Sequence, residues 1–134
     1  MFLGFVRTNF EIFGEKKSLR GIAVVDTGSL MTILDRSIAE SLNLKSTGRS
    51  LELTTLSGEK VFCSEMVTSK LIVEGETLVS ERVAVCELPT NTKERLKAMD
   101  VDPYLIIGVI TLEAAGLKAN PVTGKVEKVG WVSL

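Results

Sequence analysis

The chain has 134 residues, 45% hydrophobic and 25% charged, which describes a folded domain with room for a core and excludes a disordered segment. Lys and Arg number 16 against 17 Asp and Glu, a net charge of -1, so nucleic acid, which favours a basic surface, is not expected as a partner. Histidine is absent, and that excludes Ser-His and Cys-His nucleophile pairs, His-ligated metals and a His general base.

In chain order, the opening MFLGFVRTNF is apolar but broken by Arg7 and carries no cleavage site, so no signal peptide is expected. Apolar residues alternate around Val6, Thr8, Phe10 and Ile12, which predicts a half-buried strand over roughly 4–13. A turn follows at 14–17, and LRGIAVV predicts a strand over roughly 18–25, apolar enough to be buried on both faces. LMTILDRSIAESLNL reads as an extended piece and then a short helix, capped by Asp35, with Ile38, Ala39 and Leu42 turned inward. RSLELTTLSGEKVFCSEM predicts a hairpin turning at Ser57-Gly58, with strands over roughly 50–56 and 60–74. A further strand is expected over roughly 77–86, after a turn at Gly75. PTNTKERLKAM predicts a short helix with Asn91 and Glu94 as a capping box, and YLIIGV an apolar strand over roughly 104–107 ending on Gly108. One or two helical turns start at Thr111 and stop at Gly116, and the chain closes in a hairpin or two short strands around Pro121 and Gly124. No apolar run reaches the ~18 residues of a membrane span, so no membrane partner and a cytoplasmic location are expected. Cys63 and Cys86 are too far apart in sequence for a metal motif, and two buried thiols are expected over a disulfide.

VVDTGS at 24–29 carries the chemistry. A wholly apolar strand runs into Asp26, and a carboxylate at the end of a buried strand is costly unless it is hydrogen-bonded or functional. Gly28 frees the backbone beside it, while Thr27 and Ser29 supply hydroxyls. Asp26 could instead be a plain strand-end cap. A phosphatase nucleophile is a third reading, but such enzymes need a second aspartate two positions on, where Gly28 stands, and a longer α/β domain. Some eighty residues later, LIIG at 105–108 is a second buried strand ending on glycine.

In this order, a hydrophobic pair, D-T-G-S, a helix, a hairpin and a hydrophobic-hydrophobic-Gly element, the chain resembles the retropepsin-like aspartic proteases, and in particular their small archaeal and bacterial branch. The tail LIIGVITLEAAGLKANPVTGKV extends the likeness to nearly the whole chain. Asp35 stands where that family commonly has proline and Asn120 where it commonly has aspartate. The segment at 89–103, beginning PTNTKERLKAMD, is an addition that the resemblance does not explain.

The resemblance implies a mostly β fold, a closed acid-protease barrel with short connecting helices, in which residues 1–134 form one domain and half of a homodimer. It implies peptide hydrolysis by two carboxylates that share one proton and activate a water between them, with no metal and no other cofactor. One D-T-G per chain is half a site, so Asp26 from each of two chains would meet on the twofold axis. Thr27 would form a clasp across that axis, Gly28 would leave room for substrate and water, and Ser29 would hydrogen-bond the carboxylate from outside. Ser57 and Gly58 would lie in a flap over the substrate, or in an ordinary surface turn. Ile106, Ile107 and Gly108 would form the loop behind the catalytic turn, and terminal strands including Trp131 would join the dimer interface, Trp131 being equally well plain core. Asp100 and Asp102 read as solvated loop acids. The substrate expected is a peptide or unfolded protein. A different class of function keeps the fold without the hydrolysis: a dimeric peptide-binding or scaffolding module.

Overall fold

The computed structural model describes residues 5–54 and 58–130. Strand β1 (Val6–Phe13) runs antiparallel to β2 (Ser18–Val25), with Val6 opposite Val25 and Phe13 opposite Ser18. The predicted alternation of β1 holds, since Val6, Thr8, Phe10 and Ile12 are all buried. The extended piece after the D-T-G-S motif is a short strand, β3 (Ile33–Asp35), which leads into helix α1 (Arg36–Ser41). Next come β4 (Lys45–Thr54) and β5 (Lys60–Val67), the two arms of the predicted hairpin. Strands β6 (Lys70–Val73) and β7 (Glu76–Val79) form a second hairpin, and β8 (Arg82–Cys86) returns to the centre. Thus each of the two long runs expected at 60–74 and 77–86 is broken into two strands. Helix α2 (Thr90–Ala98), strand β9 (Leu105–Ile107) and helix α3 (Val109–Ala114) follow, and β10 (Leu117–Asn120) pairs with β11 (Lys125–Lys128) in a separate two-stranded sheet.

Among the described residues the main sheet has the strand order β4-β5-β8-β3-β9-β2-β1-β6-β7. Its β2–β9 and β3–β8 pairs are parallel, and its other described pairs run antiparallel. The expectation of a closed barrel is not met. The sheet curls into a half-barrel, and β4 and β7 form its two edges among the described residues. Strand β4 is exposed along most of its length, carries Lys45, Arg49 and Glu52, and slips register between Ser46 and Ser50, where Gly48 has φ +84°. A charged, bulged edge of this kind does not offer a regular ladder to another strand.

The alternation of side chains across the central strands builds two cores, one on each face. Ala23 and Val25, Leu34, Val83 and Val85, and Leu105 and Ile107 point into the larger core inside the curl. Their neighbours Val24, Ile33, Ala84, Cys86 and Ile106 face the other side, where Leu88, Leu96 and Val101 cover them. Helix α2 therefore contributes to stability through Leu96, which is 4% exposed; burying such a side chain stabilises by about 1.5–3 kcal/mol.

The helix starts depart from the sequence pattern. Asp35 holds the N-cap position of α1 but makes no side-chain cap bond to that helix. Helix α2 begins at Thr90 after Pro89, so Asn91 sits inside the first turn and no capping box forms. Helix α3 starts two residues before Thr111 and stops at Ala114; Gly116, just beyond its C-cap Ala115, has φ +69°, which suits a residue without Cβ. Asp102 is not simply solvated, because its carboxylate accepts the Ile22 N–H at 2.8 Å and ties the segment after α2 to β2. Ser57 and Trp131 lie outside the described residues. Among the described residues no helix is long and apolar enough to cross a membrane.

Candidate active site

Strand β2 stays in the sheet to Val25, and then the chain turns outward. The Asp26 N–H still bonds Ile107 O at 2.9 Å, the last rung between β2 and β9. A tight turn follows, closed by Ser29 N–H to Asp26 O at 3.0 Å. Inside it the Gly28 N–H donates to Asp26 Oδ1 at 2.9 Å, which orients the carboxylate with a backbone group. Asp26, Thr27 and Gly28 are all exposed in the single chain. The sequence suggested a buried carboxylate; burial in fact ends one residue earlier, at Val25.

The Ser29 hydroxyl donates to Met31 O at 2.8 Å, so in the single chain it braces the turn rather than the Asp26 carboxylate. Thr27 makes no side-chain hydrogen bond among the described residues. Ile106 and Ile107 lie on β9 between β2 and β3, with Ile106 opposite both Val24 and Ile33. Gly108 ends that strand against the motif's own loop. A Cβ there would press on Met31 O and would stand 2.5 Å from Met31 C and 2.9 Å from Ser29 O. Only glycine allows this approach. Gly58, at the hairpin, has φ +86° and open space around it.

A buried polar chain that the sequence reading missed locks the two loops together. The Gly108 N–H donates to Thr32 Oγ1 at 3.0 Å. Thr32 Oγ1 and Thr111 Oγ1 are 2.6 Å apart, and Thr111 donates to Glu81 Oε2 at 2.8 Å. A carboxylate only accepts, so the direction is fixed: Thr32 donates to Thr111, which donates to Glu81. Both threonines are at most 1% exposed. The Val109 and Ile110 N–H groups add bonds to Ser29 O and Leu30 O, at 2.9 and 3.0 Å. The available signal was a threonine standing inside the apolar run Leu30–Leu34, where an unpaired hydroxyl would be costly.

Asp26 opens onto a cleft of about 490 Å³, a size suited to a ligand or a few peptide residues. Its floor is Ile33 and Ile106; Leu51, Leu53 and Val61 of the β4–β5 hairpin form one wall; Leu88, Pro89, Asn91, Thr92 and Arg95 form the other. The unexplained segment at 89–103 is thus a wall of the cleft. A second depression of about 420 Å³, between β1, β2 and β6, touches none of the motif residues.

Asp35 anchors the start of the α2 wall. It is 4% exposed and accepts from the Ser37 hydroxyl and from the Leu88 N–H at 3.0 Å, with Lys93 Nζ at 3.5 Å. Burial works against its charge, but the bonds from Ser37 and Leu88 and the Lys93 ammonium together outweigh it and hold the carboxyl below its ordinary value. Cys63 and Cys86 are free, buried thiols on β5 and β8; the Cys63 thiol donates to Val61 O at 3.9 Å, and Cys86 borders the cleft. The neighbouring Cys63 thiol, and burial after it, push the Cys86 thiol up. Among the described residues no three His, Cys, Asp or Glu side chains are grouped to hold a metal ion.

The aspartyl protease family pattern matches residues 10–111. A solved retropepsin-like aspartic protease from Rickettsia conorii aligns with a TM-score of 0.52 and 15% identity, over 89% of this chain and 95% of that one, a likeness of fold. Comparison with curated proteins finds no match.

Proposed function

The chain belongs to the aspartyl protease family, and from that premise we propose that it is an aspartic endopeptidase whose active unit is a symmetric homodimer. The observation that carries this is the Asp26 turn. It presents one oriented carboxylate, exposed, opening onto a peptide-sized cleft. The other carboxylates bordering that cleft, Glu52 and Glu59, sit on and beside the hairpin arms rather than in a comparable strand-end turn. A second Asp26 from a second copy supplies the missing half.

In the dimer the two Asp26 carboxylates hold one proton between them, since two like charges in contact cannot both ionise. The charged one takes a proton from the water held between them. That water attacks the scissile carbonyl while the neutral one donates to its oxygen, and the roles then exchange to protonate the leaving amine. Gly28 contributes its N–H to Asp26 and, lacking a side chain, keeps the approach open. Thr27, exposed beside it, forms the clasp across the axis. Ile106, Ile107 and Gly108 form the rigid backing of the turn, Ser29 braces it through Met31, and the hairpin at Ser57 and Gly58 closes over the substrate and excludes water.

Asp26→Asn tests this, being nearly isosteric yet unable to shuttle a proton. Cleavage of unfolded protein or a peptide library is expected to vanish while fold and dimer persist. Activity is expected to fall faster than linearly on dilution and to follow a bell-shaped pH profile on the acid side, because the active pair holds a single proton. Undiminished cleavage by the variant refutes the mechanism. A folded dimer that binds peptides and cleaves none at any pH identifies a peptide-binding module instead.

A further inference from the structure

We infer that helix α2 makes the cleft selective for a peptide carrying a side-chain carboxylate, Glu or Asp, at the position that reaches Arg95. This rests on the cleft being a peptide site, as proposed above, and extends that reading to substrate class.

Three observations support it. First, α2 is held rigidly. Leu96 is buried in the core under the cleft face, Asp35 binds both the Leu88 N–H and Lys93, and Asp102 fastens the following segment to Ile22. Second, Asn91 and Thr92 stand four and three residues before Arg95, so both share with it the helix face that borders the cleft. Third, the charges around the cleft are unequally committed. Arg49 is already paired with Glu65 at 3.5 Å and Glu52 with Lys60 at 3.5 Å. Arg95 forms no ion pair among the described residues, yet it borders a cleft whose floor is apolar.

An extended peptide lying along the cleft would place alternate side chains toward the α2 wall. A Glu or Asp there can rest its methylene stem on Leu88 and offer its carboxylate to the guanidinium, which suits a planar two-oxygen acceptor. A Lys at the same position would meet a like charge. Glu52 and Glu59 border the cleft on the hairpin side, so the preference is expected at the position facing α2.

The test uses short synthetic peptides with amidated C-termini, so that no terminal carboxylate contributes, with Glu, Gln or Lys placed at each position in turn. Wild-type protein is expected to favour Glu over Gln by about fivefold in kcat/KM at one position, the scale of a partly exposed ion pair, with the difference in KM. In Arg95→Ala that ratio is expected to fall to about one, and in Arg95→Glu the position is expected to favour Lys. The same ratios are to be read as binding to Asp26→Asn by fluorescence anisotropy, which needs no turnover. Cleavage without any Glu preference, or a preference that survives unchanged in Arg95→Ala, overturns this inference and leaves the hydrolysis standing. The binding ratios without cleavage would do the reverse. Failure of every peptide to bind overturns it as well.

Discussion

Replacing Gly108 with alanine probes the contact that sets the Asp26 turn. The backbone conformation is no obstacle, since φ at Gly108 is -99°. The obstacle is space: the new methyl would stand 2.5 Å from Met31 C and 2.9 Å from Ser29 O, both backbone atoms that cannot swing aside as a side chain would. Restoring ordinary contact distances requires a shift of roughly 1 Å between β9 and the 29–31 segment. Overpacking of this kind costs about 1–3 kcal/mol, offset by about 0.4–1 kcal/mol because alanine restricts the unfolded chain. A net loss of about 1–2 kcal/mol is therefore expected in urea denaturation. The shift also passes to the motif, because Val109 N–H bonds Ser29 O and Ser29 N–H bonds Asp26 O. A displacement of roughly 1 Å at a reacting group costs about 100-fold in rate, so kcat/KM on a peptide is expected to drop by about that factor, well beyond what the stability loss explains. Unchanged stability together with unchanged cleavage would refute the close-packing argument. Lost stability with full activity would refute the link from Gly108 to Asp26.

Asp35→Asn is expected to lower stability by about 1–3 kcal/mol near pH 7, since it removes the charge that Lys93 and the Leu88 N–H address. The folded carboxyl is held below its unfolded value of about 3.9, so wild type enjoys this contribution above that value and loses it as pH falls through the folded one. Denaturation of both proteins from pH 7 down to strongly acid conditions should show the gap closing; a constant gap sinks the assignment. Cys63 and Cys86, 4% and 2% exposed, are expected to resist iodoacetamide in the folded protein and react fully in urea, read by mass spectrometry. Rapid native alkylation of both would contradict their burial.

Much of this protein was legible from local pattern alone. The alternation in Val6, Thr8, Phe10 and Ile12 needs only a strand with one apolar face, and β2 ends as predicted because the apolar run Ile22–Val25 stops where Asp26 begins, although burial on both faces, expected of the whole strand, holds only for Ala23, Val24 and Val25. The D-T-G-S motif was visible because it answers a local demand for a tight turn, and Gly108 because it ends an apolar strand, although the approach that requires glycine there, to Met31 and Ser29, is set by the fold. What depends on partners distant in sequence was not legible. Whether the sheet closes is decided by which strands end up at its edges, and β4 and β7 lie at opposite ends of the order. Asp35 and Asp102 looked like a cap and a solvated acid because the groups that donate to them, Leu88 N–H and Ile22 N–H, lie 53 and 80 residues away. The Thr32–Thr111–Glu81 chain joins three segments that only packing brings together. Helix α2 was predicted as a helix from its own residues, but its place as a wall of the cleft follows from Leu96 entering the outer core, a contact that no stretch of sequence contains by itself.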